Sequence, residues 1–461
     1  MKKLITTLLA LTMVTGMLTG CGVTTASSTT DTKVASAASS TADSAVASSE
    51  AAHTPVTLRV QWWGGDDRHQ ATLKAIEAFQ KKYNWITIKA EYGGWDGHKD
   101  KVTTQISGGT AADVLQINYD WLSTFSKDGT GFWDLEKLKD VIDLSNWDEA
   151  TLNFGKSNGV LNAIAVSNTG RSLFYNKTTY DKLGVAIPNS WDSLIEAGKQ
   201  FKAKDPTKYP FDLDTGSGFT GLYMALVYEQ QKTGKVFLSQ DGKLGMSVDE
   251  LKDALDFYKK LEDNHVIRDQ KQRMNDSGED ALYQTAKFID GSVAGVLEWG
   301  SSIGKFEKVL VENKNKQELV LGDLPIMKDA KINGWFMKPS LLFAINGKTK
   351  YPQESALFLN WLLNDPESSK LLGTSRGIPS SKAALNALQG TDAIKGIAFT
   401  STEQIANSNP TLVSPYMENQ ALKDAYKIAI ESLSYGNATS QQSAQTLYDS
   451  LNSALAEITA K

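Results

Sequence analysis

From residue 56 onward the apolar residues alternate between a period of two and one of about 3.6, and that alternation leaves few folds open to the chain. Val56, Leu58, Val60 and Trp62 alternate with Thr57, Arg59, Gln61 and Trp63. The period of two predicts a strand, with Trp62 on its apolar, core-facing side. Leu73, Ile76, Phe79, Gln80 and Tyr83 then take helical spacing, and Ile86, Ile88, Ala90 and Tyr92 alternate again. Trp95 to Ser107 predicts a second helix, ended by Gly108 and Gly109. The short apolar run from Asp113 to Ile117 suits a strand buried on both faces. The order β-α-β-α-β implies an α/β class fold with a doubly wound parallel sheet flanked by helices.

In such sheets a ligand sits beyond the carboxyl ends of the strands. The first strand runs out through Trp63, Gly64, Gly65, Asp66, Asp67 and Arg68. The second runs out through Gly93, Gly94, Trp95 and Asp96, and the third through Asn118, Tyr119, Asp120 and Trp121. Each end sets an aromatic ring beside a carboxylate or amide, and glycines let a ligand approach the backbone. This chemistry suits a carbohydrate. A pyranose has apolar C–H faces that stack on rings, and a rim of hydroxyls that pair with Asp and Asn. Trp63, Trp95 and Trp121, with Asp66, Asp96, Asn118 and Asp120, are therefore candidate ligand contacts.

Composition narrows the field further. The chain has 461 residues, of which 41% are hydrophobic and 22% charged, and a formal net charge of -5. No basic block appears, so nucleic acid is not an expected partner. Four His and one Cys offer little material for a metal site, and no cofactor is expected. Lys2 and Lys3 precede a short apolar run from Leu4 to Leu18, the form of a secretory signal peptide over residues 1–20. The run is shorter than the ~20 apolar residues that span a bilayer. It ends in Leu18-Thr19-Gly20-Cys21, which resembles a lipobox, so Cys21 is the expected lipidation site and the chain is expected to be anchored by acyl chains. Because Cys21 is the sole cysteine, no internal disulfide can form. Residues 21–54, rich in Ser, Thr and Ala, read as a disordered tether.

Later segments supply the second half of the fold. Val160 to Val166 is apolar, and Leu173-Phe174-Tyr175 follows. Ser190-Trp191 opens a helix to about Lys204, Ser247 and Glu250 form a capping box, and Lys338-Pro339 precedes a return strand over Leu341 to Ile345. Ala444, Leu447, Leu451 and Leu455 keep helical spacing near the end.

The chain resembles the family 1 extracellular solute-binding proteins, the maltose-binding-protein type. The resemblance is carried by Ala165-Val166-Ser167-Asn168 with Tyr175-Asn176-Lys177 and Leu183 to Trp191, by Lys338-Pro339-Ser340 with Ala356 to Trp361, and by Gly373 to Pro379. Gln61 to Gln70, Gly94 to His98 and Asp113 to Trp121 are similar to the oligogalacturonide-binding branch. The resemblance implies two lobes, over 55–166 with 338–376 and over 167–337 with 377–461, closing on a sugar. It implies a monomer without catalytic residues, held on the extracytoplasmic face of a cell membrane, that hands an oligosaccharide to the permease subunits of an ABC transporter. Asn168, Trp299 and Trp335 join the candidate contacts through it. An acidic sugar would need cations, for which Arg68, Arg171, Lys338 and Arg376 are candidates. A neutral oligosaccharide is the alternative. A secreted glycosidase or polysaccharide lyase is a further one, needing two carboxylates ~5–9 Å apart that Asp66, Asp96 and Asp120 supply on paper.

Overall fold

The computed structural model describes residues 53–213, 218–278, 280–312 and 316–460. The expected signal peptide, Cys21 and nearly all of the expected tether lie outside the described residues.

Strand β1 (Val56–Trp63) buries Val56, Leu58, Val60 and Trp62. Helix α1 (Asp66–Lys82) begins with Asp66 and Asp67 and ends with Lys81 and Lys82, each charge facing the pole of the helix dipole that favours it. It buries Ala75, Ile76 and Phe79 on one stripe. Strand β2 (Ile86–Gly93) follows. Helix α2 (His98–Ser107) starts later than the pattern predicts, because Gly97 takes a left-handed conformation at φ 69° and breaks the helix after Trp95. Strand β3 (Val114–Ile117) is buried at all four positions, and α3 (Asp120–Phe125) leads off it.

β1 pairs in parallel with β2 and β3, as the alternating periods predict. Beyond β3 the sheet turns antiparallel. Two long strands cross it there, Ala163–Asn176 and Phe336–Ile345. They pair with each other from Ala163 opposite Ala344 to Gly170 opposite Met337. The first then continues into a second set of strands, pairing antiparallel with Gly295–Trp299 and Leu319–Leu321. The fold is thus α/β, as expected, with a mixed eight-stranded sheet flanked by helices.

Hydrophobic packing divides around these crossing strands. On one side Trp62, Phe79, Val114, Phe343, Phe358 and Trp361 form a core. On the other, Tyr175, Phe201, Leu222, Tyr258, Trp335 and Leu447 form another. We call these sides the first and second lobe. The expected crossings at 166/167 and 337/338 fall inside the two long strands. The register slips between Ala165 and Asn168, where Ser167 is displaced, a β-bulge at the place of crossing. The Ser167 and Ser340 hydroxyls contact each other there, and both donate to the Arg376 carbonyl, at 2.6 and 3.2 Å. The last expected boundary, 376/377, precedes a segment that packs on the first side. Ser380 N–H donates to the Val166 carbonyl at 2.8 Å, and the helix Lys382–Leu388 packs on the helices Pro352–Asn364 and Pro366–Leu372. The segment from Ser380 to Leu388 thus packs against elements of the first side. Nearby local readings match in detail: Ser190 caps Trp191–Lys204, and Ser247 with Glu250 forms a capping box.

Candidate functional site

Three strand ends meet on the first lobe. Trp63, at the end of β1, lies 5.1 Å from Trp95, 5.3 Å from Trp121 and 5.4 Å from His98, centre to centre. The left-handed turn at Gly97 sets Trp95 above this group, where it is 47% exposed, while Trp121 is fully buried. Trp95 is thus the face of the cluster, Trp63 its partly sealed second layer and Trp121 its foundation. The direct ligand contact expected of Trp121 does not fit its burial. Burial lowers the His98 pKa to about 4, helped by Lys101, so its ring is neutral at pH 7 and packs as an aromatic.

Two guanidinium groups lie beside this cluster. Arg68 Nη1 donates to the Trp63 carbonyl at 3.1 Å and its Nε to the Ser375 carbonyl at 2.8 Å. Arg376 Nε donates to Gln116 Oε1 at 2.9 Å, and Gln116 Nε2 donates to the same Trp63 carbonyl at 3.1 Å. Burial lowers the Arg68 pKa to about 10. Arg376 is lowered as well, by burial and then by the charge of Arg68. Among the described residues neither forms an ion pair, and both terminal nitrogens of Arg376 are buried without a hydrogen-bond partner. Unpaired buried cations are costly, and an anion brought between them relieves that cost.

The second-lobe wall is built differently. Arg171 lies with its guanidinium carbon 4.6 Å from the centre of the Trp299 ring, and Lys338 Nζ lies 4.7 Å from that ring. Arg171 Nη1 donates to the Leu297 carbonyl at 3.2 Å. Lys338 is ion-paired with Glu418, a residue that sequence reasoning missed. Burial raises the Glu418 carboxyl, but Lys338, Lys423 and Arg171 together hold the pKa below the usual range. Glu418 also accepts from Asn118 Nδ2 at 3.4 Å, and that amide donates to Asp120. Asp120 is paired with Lys99 at 2.9 Å, yet its pKa is raised, first by burial and also by Glu418, against the pull of Lys99. Lys99, Asp120, Asn118, Glu418 and Lys338 thus form one polar chain from lobe to lobe. Glu418 sits in an irregular segment with no apolar period, and no local signal marked it.

The remaining candidates disperse. Asp66 and Asp96 are exposed on the rim. Asn168 faces Pro339 across the crossing strands, its Oδ1 buried without a partner. Trp335 is a correction. It is fully buried in the second-lobe core, stacked on Trp191 with its Nε1 donating to the Pro325 carbonyl at 3.2 Å, and contributes packing instead of a cleft surface. No cluster of His, Cys, Asp and Glu suited to a metal occurs among the described residues.

Residues 74–398 match the family model described as bacterial extracellular solute-binding protein. The chain belongs to this family. Among solved structures, it is similar to a periplasmic oligogalacturonide-binding protein from Yersinia enterocolitica in complex with saturated digalacturonic acid. Identity is 36% and the TM-score 0.82, over 88% of this chain and 100% of that one. A putative binding protein of Brucella abortus is 26% identical over 47% of this chain and 54% of its own. A putative ABC transporter periplasmic-binding protein of Escherichia coli is 22% identical over 51% of this chain and 57% of its own. The chain spans about half the length of the curated relatives it matches. This solute-binding chain thus shares its family with binding proteins, and the likeness to the Yersinia protein runs through both lobes.

Proposed function

We propose that this solute-binding chain captures an oligosaccharide bearing a uronate carboxylate and presents it, unaltered, to an ABC importer at the extracytoplasmic face of a membrane. The observation that carries the reading is the Arg68–Arg376 pair, two cations without an ion-pair partner among the described residues, tied to the Trp63 carbonyl at the base of the cluster that Trp95 brings to the surface. A carboxylate meets such a pair with charge-assisted hydrogen bonds while the ring takes the apolar face of the sugar. The digalacturonate bound by the Yersinia relative has this chemistry. Catalysis finds no support in the carboxylates here, since Asp120 on the first lobe and Glu418 on the second are each held by a lysine. Those same carboxylates, with exposed Asp66 and Asp96, favour a neutral oligosaccharide as the second reading.

The deciding experiment titrates di- and trigalacturonate beside their neutral galactose counterparts at low and high salt. Tighter binding of the uronates, weakening as salt screens the charges, is expected. Equal or tighter binding of the neutral sugars removes the acidic reading. Lipid anchoring at Cys21 rests on the Leu18–Cys21 tetrad. Cys21→Ala is expected to release the protein from the detergent phase, and unchanged partitioning counts against the anchor.

A further inference from the structure

Trp62 and Trp63 point to opposite faces of β1, and each carries its own aromatic group. The second group lies on the α1 side. Tyr92 stacks on Trp62 at 4.9 Å and 23°, and lies 4.6 Å from His69. Trp62 Nε1 donates to His69 Nδ1 at 3.1 Å and fixes that ring. Trp62 and His69 are buried, whereas Tyr92 is 45% exposed, nearly as open as Trp95. One face of the Tyr92 ring is therefore held rigidly and much of the rest meets solvent. The usual fate of a tyrosine at the end of an edge strand is a loose surface position. Here two aromatic partners hold it, which preorganises the ring for stacking.

The ground between the two exposed rings is bare. Gly93 and Gly94 separate Tyr92 from Trp95, and Gly65 lies at the start of α1. A Cβ added at any of the three meets no atom within 4 Å. A flat ligand can pass over this saddle against the main chain. Arg68 borders it: Gly64 N–H donates to the Gly93 carbonyl at 3.0 Å, and a Cβ added at Gly64 would meet the Arg68 side chain at 2.5 Å. His69 feels both arginines as well as Asp66, so the charge-bearing pocket and the outer ring are neighbours. The charge changes sign outward: Asp66, Asp67 and Asp96 are all exposed at this rim. Carboxylates accept hydrogen bonds from sugar hydroxyls and repel another carboxylate.

We propose that Tyr92, braced by Trp62 and His69 beside Asp66, is an outer subsite for a neutral pyranose unit, continuous with the inner uronate site across the Gly93–Gly94 saddle. The ligand is then a mixed chain, uronate inside and neutral sugar at the rim. This rests on the uronate reading of Arg68 and Arg376 and adds to it the length and composition of the ligand.

The test compares digalacturonate, digalacturonate extended by one neutral hexose at either end, and trigalacturonate, titrated against wild type, Tyr92→Ala and Tyr92→Phe. One neutral-extended probe is expected to bind wild type about tenfold tighter than digalacturonate, the size of one ring contact. Tyr92→Ala is expected to erase that gain and leave digalacturonate affinity unchanged, which also shows that the variant is folded. Tyr92→Phe keeps the gain, and trigalacturonate gains less than the neutral extension. The proposal falls if wild type shows no gain from a neutral unit, if the gain survives Tyr92→Ala, or if trigalacturonate gains as much. Failure of digalacturonate to bind wild type strikes the uronate reading itself, whereas binding without a Tyr92-dependent gain strikes only the outer subsite.

Discussion

The two lobes carry the same residue types and differ in how far each is buried or paired. On the first lobe an aromatic cluster comes to the surface at Trp95, and the cations Arg68 and Arg376 have no counter-charge among the described residues. On the second, Trp335 is sealed into the core and Arg171 lies against Trp299, while at the crossing strands Lys338 is neutralised by Glu418. Residue type alone therefore says little about recognition. A ring recognises a ligand where its burial is incomplete, and a cation does so where its pairing is incomplete.

The contrast can be broken most forcefully at Trp335. Trp335→Ala is expected to lower stability by about 3–5 kcal/mol through lost packing, with ligand affinity unchanged. Denaturant unfolding and calorimetric titration check both halves. A loss of affinity at full stability would return Trp335 to the cleft.

Next is Arg376→Met. Removing a buried, unpaired cation is expected to weaken uronate binding by about 3 kcal/mol, in the range of charge-assisted hydrogen bonds. It should also raise stability by about 1 kcal/mol, because an uncompensated charge leaves the interior. A variant that loses stability would mean that the guanidinium is satisfied within the protein. Glu418→Gln reverses the situation by stranding Lys338, and should cost about 2 kcal/mol of stability. Because the Glu418 pKa is depressed, its contribution is present above the unfolded carboxyl pKa and fades as pH falls through the folded value. The wild-type advantage over Glu418→Gln should therefore shrink in acid.

Trp95→Ala tests the exposed ring, with an expected loss of about 1 kcal/mol in affinity and little change in melting temperature. The smallest effect lies outside the cleft, at another carboxylate beside a lysine. Burial raises Glu229 to about 7 despite Lys232, whose side chain is 46% exposed. The folded state keeps a proton that the unfolded state releases, so stability should fall as pH rises from the ordinary carboxyl range through about 7, and level off above it. Glu229→Gln should remove that slope, an effect of less than about 1 kcal/mol after screening. A slope unchanged in the variant would assign it to another group.

What the sequence made legible follows from the range of each interaction. β1, α1, β2 and β3 were readable because period and burial are local, and the caps at Ser190 and Ser247 because a cap spans one turn. The antiparallel pairing of the two crossing strands was not, since nothing in Ala163–Asn176 names Phe336–Ile345 as its partner. The position of Trp335 failed for the same reason: its neighbour Trp191 is far off in sequence. Glu418 was invisible because an ion pair formed across 80 residues leaves no pattern in either segment. The late start of α2 was a smaller miss, with Gly97 as its signal.

The bulge at Ser167 ties the charge-reading arginine to the place where the lobes join. Arg376 presents its side chain to Gln116 and its own carbonyl to Ser167 and Ser340. One residue is thus both fingertip and axle pin. An anion taken up there, as proposed, would pull on a residue whose carbonyl is held by the two long crossing strands. Cutting that linkage, with Ser167 and Ser340 both changed to Ala, would leave the anion site standing while uncoupling it from the pivot, as a key turns freely in a lock whose cam has been removed.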